Sequence, residues 1–217
     1  MKKTILTLAL VSLATFTSCK KETENTTETI DVTEVVSNPD YKVDTSNSMI
    51  NWMGSKPAGQ HTGTILIKEG SFAVANGKID GGEFTIDMNS INVTDLEGDD
   101  KAALEGHLKG IGEKEKEDHF FNVNKFPTSN FKILNVEEQN GTYFVKGALT
   151  MKDITKEINF PAKITVSENE VTLVSEPFKI NRTNWGVNYA SKSIFDDLKD
   201  KFVDDDMEIQ VKVMATK

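Results

Sequence analysis

The chain carries one cysteine, Cys19, in 217 residues. That excludes an internal disulfide and any thiolate cluster for zinc. Histidine is almost as scarce. His61, His107 and His119 are the only three, and no two stand at a His-x-x-x-His spacing, so the common metal-binding patterns are absent and no metal is expected. Asp204-Asp205-Asp206 lacks the Gly and closing Glu of an EF-hand loop. There is no Gly-x-Ser-x-Gly elbow and no Gly-x-x-x-x-Gly-Lys-Ser/Thr loop, so neither a nucleophilic hydrolase nor a phosphate cradle is signalled. No window holds eighteen consecutive apolar residues, which leaves no helical membrane span. Positive charge is also short: 25 Lys and Arg face 34 Asp and Glu, a formal charge of -9. Phosphate contacts need Lys and Arg, so nucleic acid is a poor partner.

What is present begins with a targeting pattern. Lys2 and Lys3 precede an apolar run from Ile5 to Ala14, too short to cross a bilayer. Phe16-Thr17-Ser18-Cys19 then places small residues before the cysteine, which resembles a bacterial lipobox. Residues 1–18 are expected to be a lipoprotein signal peptide, and Cys19 the lipid-attachment site. The alternative is an ordinary secretory signal beside a chance thiol. Loss of Lys2 and Lys3 takes the basic count from 25 to 23 against 34 acids, a mature charge of -11. Such a protein is repelled by anionic head groups, so the anchor must hold it at the membrane of the cell envelope. Two or more acyl chains suffice for durable retention where one does not. Residues 19–39 are almost devoid of apolar side chains before Ile30. They read as a disordered tether, because they cannot bury enough surface to offset ordering entropy.

Residues 40–217 read as one domain made mostly of strands. Glu83-Phe84-Thr85-Ile86-Asp87-Met88 and Met207-Glu208-Ile209-Gln210-Val211-Lys212-Val213 alternate polar and apolar, the period-two mark of a strand with one buried face. Further strands are expected at 50–53, 61–67, 72–74, 131–136, 142–146, 158–166 and 171–180. Turn signals separate them, among them Lys68-Glu69-Gly70, Ala75-Asn76-Gly77 and Gln139-Asn140-Gly141. Many short strands with tight turns suggest an all-β antiparallel sandwich or barrel. Two stretches break the rhythm. Thr94-Asp95-Leu96-Glu97 fits a capping box, and Leu104, Leu108 and Ile111 follow at helical spacing. This predicts one short helical insert. An irregular insert is expected at about 191–206.

Several blocks in fixed order resemble the YceI-like family of lipid-binding proteins. They are Tyr41-Lys42-Val43-Asp44, Ile50-Asn51-Trp52, His61-Thr62-Gly63, His107-Leu108, Asp118-His119-Phe120-Phe121-Asn122-Val123, Phe126-Pro127-Thr128, Gly147-Ala148-Leu149-Thr150-Met151, Ile154-Thr155-Lys156 and Ile180-Asn181-Arg182-Thr183-Asn184-Trp185-Gly186. Many members carry Arg-Asp where this chain has Glu105-Gly106. The resemblance implies a lipocalin-like antiparallel barrel of about eight strands, with an elongated apolar interior that holds an isoprenoid lipid or quinone. An anchored, acidic cup is well placed to exchange such a lipid with a bilayer, so a carrier or buffer is expected; with no catalytic motif in the sequence no enzyme is expected, and no cofactor beyond that ligand. The residues alone leave two other readings open: a membrane-anchored interaction module with a packed barrel, or an enzyme acting on a sequestered lipid. A barrel of this size is just wide enough to fill with side chains or to hold one small ligand. Twelve of the seventeen aromatics are Phe, the aromatic without a polar handle, which suits either case.

Candidate cavity and mouth residues are Trp52, His61, Phe84, Leu104, Leu108, Phe120, Phe121, Phe126, Phe131, Arg182 and Trp185. Arg182 is suited to a head group at the barrel mouth or to a salt bridge that closes a strand end. His61 is suited to a quinone carbonyl or to a structural hydrogen bond. The phenylalanines at 120, 121, 126 and 131 either gate the interior or simply fill it.

Overall fold

A computed structural model of the chain describes residues 40–217. The expected signal peptide, Cys19 and the tether lie outside the described residues. Ten strands form in this order: β1 (Tyr41–Val43), β2 (Met49–Lys56), β3 (Gly59–Ala75), β4 (Lys78–Val93), β5 (Thr128–Gln139), β6 (Thr142–Met151), β7 (Ile154–Val166), β8 (Glu170–Ser175), β9 (Phe178–Asn181) and β10 (Asp206–Thr216). All pairings are antiparallel, and β10 joins β2 on one side and β8 on the other. The sheet therefore closes on itself as an eight-stave barrel with no long free edge. Two staves are broken in two. β9 continues the β8 side of β10 after Glu176-Pro177, and β1 pairs with both β10 and β3 beyond the start of β2. Proline lacks the N–H a ladder needs, which accounts for the first break.

The alternation read from sequence sets which side chains face inward. Phe84, Ile86 and Met88 on β4 point into the barrel, as do Met207, Ile209, Val211 and Val213 on β10. The expected turn at 68–70 is not a turn. β3 runs on through it, and the pairing with β4 slips between Ile67 and Glu69. A bulge absorbs the extra residue, so the turn signal marks a kink in one long strand.

Helix α1 (Gly98–Lys109) follows β4. The expected capping box does not form: the residue at the helix start is Glu97, which makes no side-chain cap bond, and Thr94 N donates to Thr62 O instead. Ile111 lies past the helix end and is exposed. Gly110 ends α1 in the left-handed conformation, which a glycine adopts without strain. Glu105, at the place where the family commonly differs, accepts from Val93 N at 2.8 Å and ties the helix to the end of β4.

The two ends of the barrel differ. At the end that carries the domain's N-terminus, Tyr41, Phe72, Val145, Ala162, Val171 and Ala215 are buried and fill the interior. Tyr41 Oη closes that end by donating to Ser167 O at 2.8 Å. The other end is bounded by α1, the β2–β3 hairpin and the segment 182–205. Among the described residues no helix is long and apolar enough to cross a membrane.

Candidate functional site

Inside this second end lies a cavity of about 420 Å³. Its walls are the inward positions of the strands: Ile50, Ile65, Ile86, Ile133, Leu149 and Leu173, together with Phe84, Phe131, Phe160 and Phe178. α1 contributes Leu104, His107 and Leu108, and Phe120 and Phe121 fold in beside them. Lys56, Asp200 and Lys201, all exposed, mark where the cavity meets solvent. That opening lies at the opposite end from Asp40.

Glycines keep the lumen open. Trp52 pairs across the sheet with Gly63, and an added methyl at Gly63 would overlap the indole ring. Phe84 pairs with Gly70, and the Phe131 ring lies over Gly147. In each case the missing side chain lets an aromatic ring lie flat along the wall, as aromatic–glycine pairs do in curved sheets. Three large rings thus line the hollow without plugging it.

Nine of the eleven candidate residues line this cavity: Trp52, His61, Phe84, Leu104, Leu108, Phe120, Phe121, Phe131 and Arg182. Two lie elsewhere. Trp185 is 1% exposed, and its Nε1 donates to Leu149 O at 3.0 Å. It is a buried strut in a 3-10 turn behind the wall. Phe126 packs under the ammonium groups of Lys125 and Lys152, 4.9 and 5.9 Å from its ring centre. Proximity in sequence to Phe120 and Phe121 suggested otherwise, but the chain turns at Asn122, whose φ of 47° directs Phe126 away.

Arg182 borders the cavity with its donors already engaged. Nε, Nη1 and Nη2 donate to the carbonyls of Asp204, Val187 and Val203 at 3.0, 2.6 and 2.9 Å. Asp205 stands 3.6 Å from Nη2. The guanidinium holds the segment 182–205 closed and has little left to offer an anion. Burial raises the Asp205 carboxyl, but bonds from Ser191 and Ser193 and the Arg182 charge outweigh it and hold the pKa below the usual range.

His61 Nδ1 lies 2.9 Å from Asp95 Oδ2, and the second Asp95 oxygen accepts from Thr62 N. These bonds overcome the desolvation of Asp95 and lower its pKa. His107 and His119, twelve residues apart, meet in space at 2.8 Å between Nε2 and Nδ1. Their rings pack on Tyr189, which also lines the cavity. Burial, then the neighbouring His119, holds His107 below its ordinary pKa. Among the described residues no three metal-binding side chains converge.

Sequence reasoning missed His107, Tyr189, Ser129 and the segment 200–204 as lining. Ser129 was legible, since it shares the inward register of Phe131 and Ile133 on β5. Tyr189 and the 200–204 segment carry no periodic signal and are placed only by tertiary contacts.

A closed antiparallel barrel, packed at one end and hollow and apolar at the other, belongs to the lipocalin-like class of barrels. Residues 41–215 match the YceI-like domain, and the chain belongs to that family. Its fold is similar to a polyisoprenoid-binding domain from Saccharophagus degradans implicated in plant cell wall breakdown. That likeness has 14% identity and a TM-score of 0.59, and covers 82% of this chain and 99% of that one. It is also similar to BcnA from Burkholderia cenocepacia, at 16% identity and TM-score 0.61, covering 79% and 98%. The Campylobacter jejuni YceI protein aligns at 20% identity and TM-score 0.50, covering 70% and 82%. No curated protein sequence matches the chain.

Proposed function

We propose that this chain is a lipid-binding protein of the cell envelope whose barrel holds the tail of an isoprenoid lipid or quinone. The observation that carries the reading is the apolar hollow of about 420 Å³, within the roughly 300–1,000 Å³ typical of small-molecule sites. The family, and its similarity in fold to the polyisoprenoid-binding domain from Saccharophagus degradans, support the same ligand class. The family and the apolar lining support a binding role.

The energetics favour a carrier or buffer. Burying a methylene from water is worth about 0.8 kcal/mol, but the competing phase is a bilayer, where the tail is already dry. Transfer from bilayer to barrel is nearly neutral in that term. Exchange in both directions is then feasible, and shape and head-group contacts select the ligand. Attachment through Cys19 would keep the protein at the membrane that supplies it.

Mass spectrometry of lipids extracted from natively purified full-length protein tests the reading. An isoprenoid lipid or quinone at near one per chain is expected. Extracts free of isoprenoid, or a Leu173→Trp variant that fills the lumen yet retains the same lipid load, would overturn it.

A further inference from the structure

The two ends of the barrel differ on their outside as they do within. Among the described residues seven large apolar side chains are exposed. Met49, Leu66 and Leu134 lie on outer strand faces, where Met49 and Leu66 pair across the sheet. The other four, Ile111, Ile154, Ile194 and Phe195, lie on or beside connections at the open end. The closed-end turns at 76–77, 140–141 and 167–169 read Asn-Gly, Asn-Gly and Ser-Glu-Asn. Single apolar residues on a surface need no explanation, but their gathering at one end does.

Ile194 and Phe195 form a tip, 46% and 48% exposed. The tip is held in place from below. Ser191 is fully buried, and its carbonyl accepts from Ile194 N and Phe195 N at 3.3 and 2.9 Å. At the base, Val203 N donates to Ala190 O and Asp204 N to Ser55 O on β2, both at 2.9 Å. The chain is thereby closed beneath the tip and fastened to the wall. Two adjacent large apolar groups stay in water on a fixed turn, which is unfavourable in the free protein.

The same segment also lines the hollow, through Phe202 and Val203. One short stretch of chain thus supplies both the cavity wall and the outer tip. A lipid tail that enters this mouth comes from a bilayer. If the mouth stood away from that bilayer, every methylene would cross water in transit. A bilayer pressed against the mouth removes that barrier and covers the tip.

Charge selects the kind of bilayer. From 191 to 204 the rim carries Lys192, Lys199 and Lys201 against Asp196, Asp197, Asp200 and Asp204. Lys192 Nζ stands 3.2 Å from the centre of the Phe202 ring, an ammonium over an apolar base as is favoured at membrane interfaces. Such mixed signs match head groups that carry both a phosphate and an amine. The chain's formal charge of -9 opposes an anionic surface.

Resting on the lipid-binding reading, we infer that the Ile194–Phe195 tip seats the open end of the barrel on a zwitterionic bilayer. Ile111 and Ile154 widen the contact, and lipid passes between bilayer and barrel without meeting water.

Full-length protein on phosphatidylcholine vesicles tests this with a tryptophan probe at either end, Phe195→Trp or Glu138→Trp. Glu138 is exposed and lies toward the closed end of β5. The parent protein supplies the Trp52 and Trp185 signal to subtract. Brominated phosphatidylcholine should quench the probe of Phe195→Trp several-fold more than that of Glu138→Trp. Brominated phosphatidylglycerol should quench it less at low ionic strength. Uptake of menaquinone-4 from loaded vesicles by lipid-free full-length protein can be followed by quenching of Trp52. Ile194→Ser with Phe195→Ser should slow that uptake roughly tenfold and leave the final load and the urea midpoint unchanged. Equal quenching at the two ends, stronger quenching by phosphatidylglycerol, or uptake as fast as the parent's would overturn the inference and leave the cavity reading intact. A concentration-dependent dimer that the double variant loses, with no quenching of the Phe195→Trp probe, would assign the tip to a second copy and overturn it as well. Uptake by neither protein would remove the lipid-binding reading, with the quenching contrast deciding the docking separately.

Discussion

His107 Nε2 and His119 Nδ1 share one hydrogen bond of 2.8 Å beside the cavity. Such a contact needs one ring to donate and the other to accept, so at least one of the facing nitrogens must be unprotonated. Phe120, Tyr189, Lys116 and Glu113 complete the surroundings of His107. Burial and the facing ring depress its pKa below 6.5.

The sign of the resulting pH dependence follows. Between 6.5 and the lowered folded value, the unfolded chain holds a proton on His107 that the folded chain refuses. Protons then favour unfolding. The His107 contribution to stability is full above 6.5 and is lost as pH falls from there through the lowered folded value. Urea midpoints should decline from pH 7 to 5, and His107→Gln should flatten that decline. An unchanged slope in the variant would place the effect elsewhere.

Arg182 is predicted to be the main fastener of the 182–205 segment. Its side chain is 1% exposed and serves three main-chain carbonyls. Arg182→Met removes every donor and strands buried acceptors, at a cost of about 3 kcal/mol. Arg182→Lys should recover only part, because one ammonium cannot reproduce the planar fork. Denaturant titration gives the loss. Limited proteolysis should show cleavage within 191–205 well before global unfolding, as a locally released segment would.

Lys152 is predicted to pin the loop that carries Phe120 and Phe121. It sits with Asp153 at positive φ in the two-residue turn between β6 and β7, where Asn or Gly is commoner. The side chain accounts for the choice. Its Nζ donates to Asp118 Oδ1 at 2.7 Å and to Phe120 O at 2.9 Å while 6% exposed. Lys152→Gly relieves the backbone yet frees the loop. A net loss of about 1 kcal/mol is expected, with faster hydrogen exchange at Phe120 and Phe121. Asp118 is largely exposed and its depressed pKa stems from Lys152 first, so it should return toward the ordinary carboxylate value in the variant.

The legible part of this protein is the part governed by period two. The β4 and β10 alternations placed Phe84, Ile86, Met88, Met207, Ile209, Val211 and Val213 on the inner face, because a strand has no other way to bury such a pattern. Local turn chemistry was less reliable. Lys68-Glu69-Gly70 reads as a turn, yet long-range pairing with β4 overrides it and leaves a bulge. The His107–His119 contact joins the end of α1 to the loop beyond it, and no spacing rule covers a loop that returns by tertiary packing. Whether the interior is hollow was also beyond the sequence. The deciding residues are glycines at inward positions, and a lone glycine in a strand carries several meanings.

Gly147 offers the sharpest test of that last point. A methyl there would overlap the Phe131 ring and crowd the Lys132 carbonyl. The ring can yield only into the lumen, since the wall lies behind it. Gly147→Ala should therefore destabilise the fold by about 1–3 kcal/mol, the usual penalty of overpacking, and lower the amount of lipid carried. Truncating the ring removes the larger of the two clashes, so Gly147→Ala with Phe131→Leu should be more stable than the sum of the two single changes predicts. The residual contact with the Lys132 carbonyl should keep the double variant below the parent. Additivity within about 0.5 kcal/mol would mean that the ring does not depend on the glycine, and that the lumen is held open by something other than these aromatic–glycine pairs.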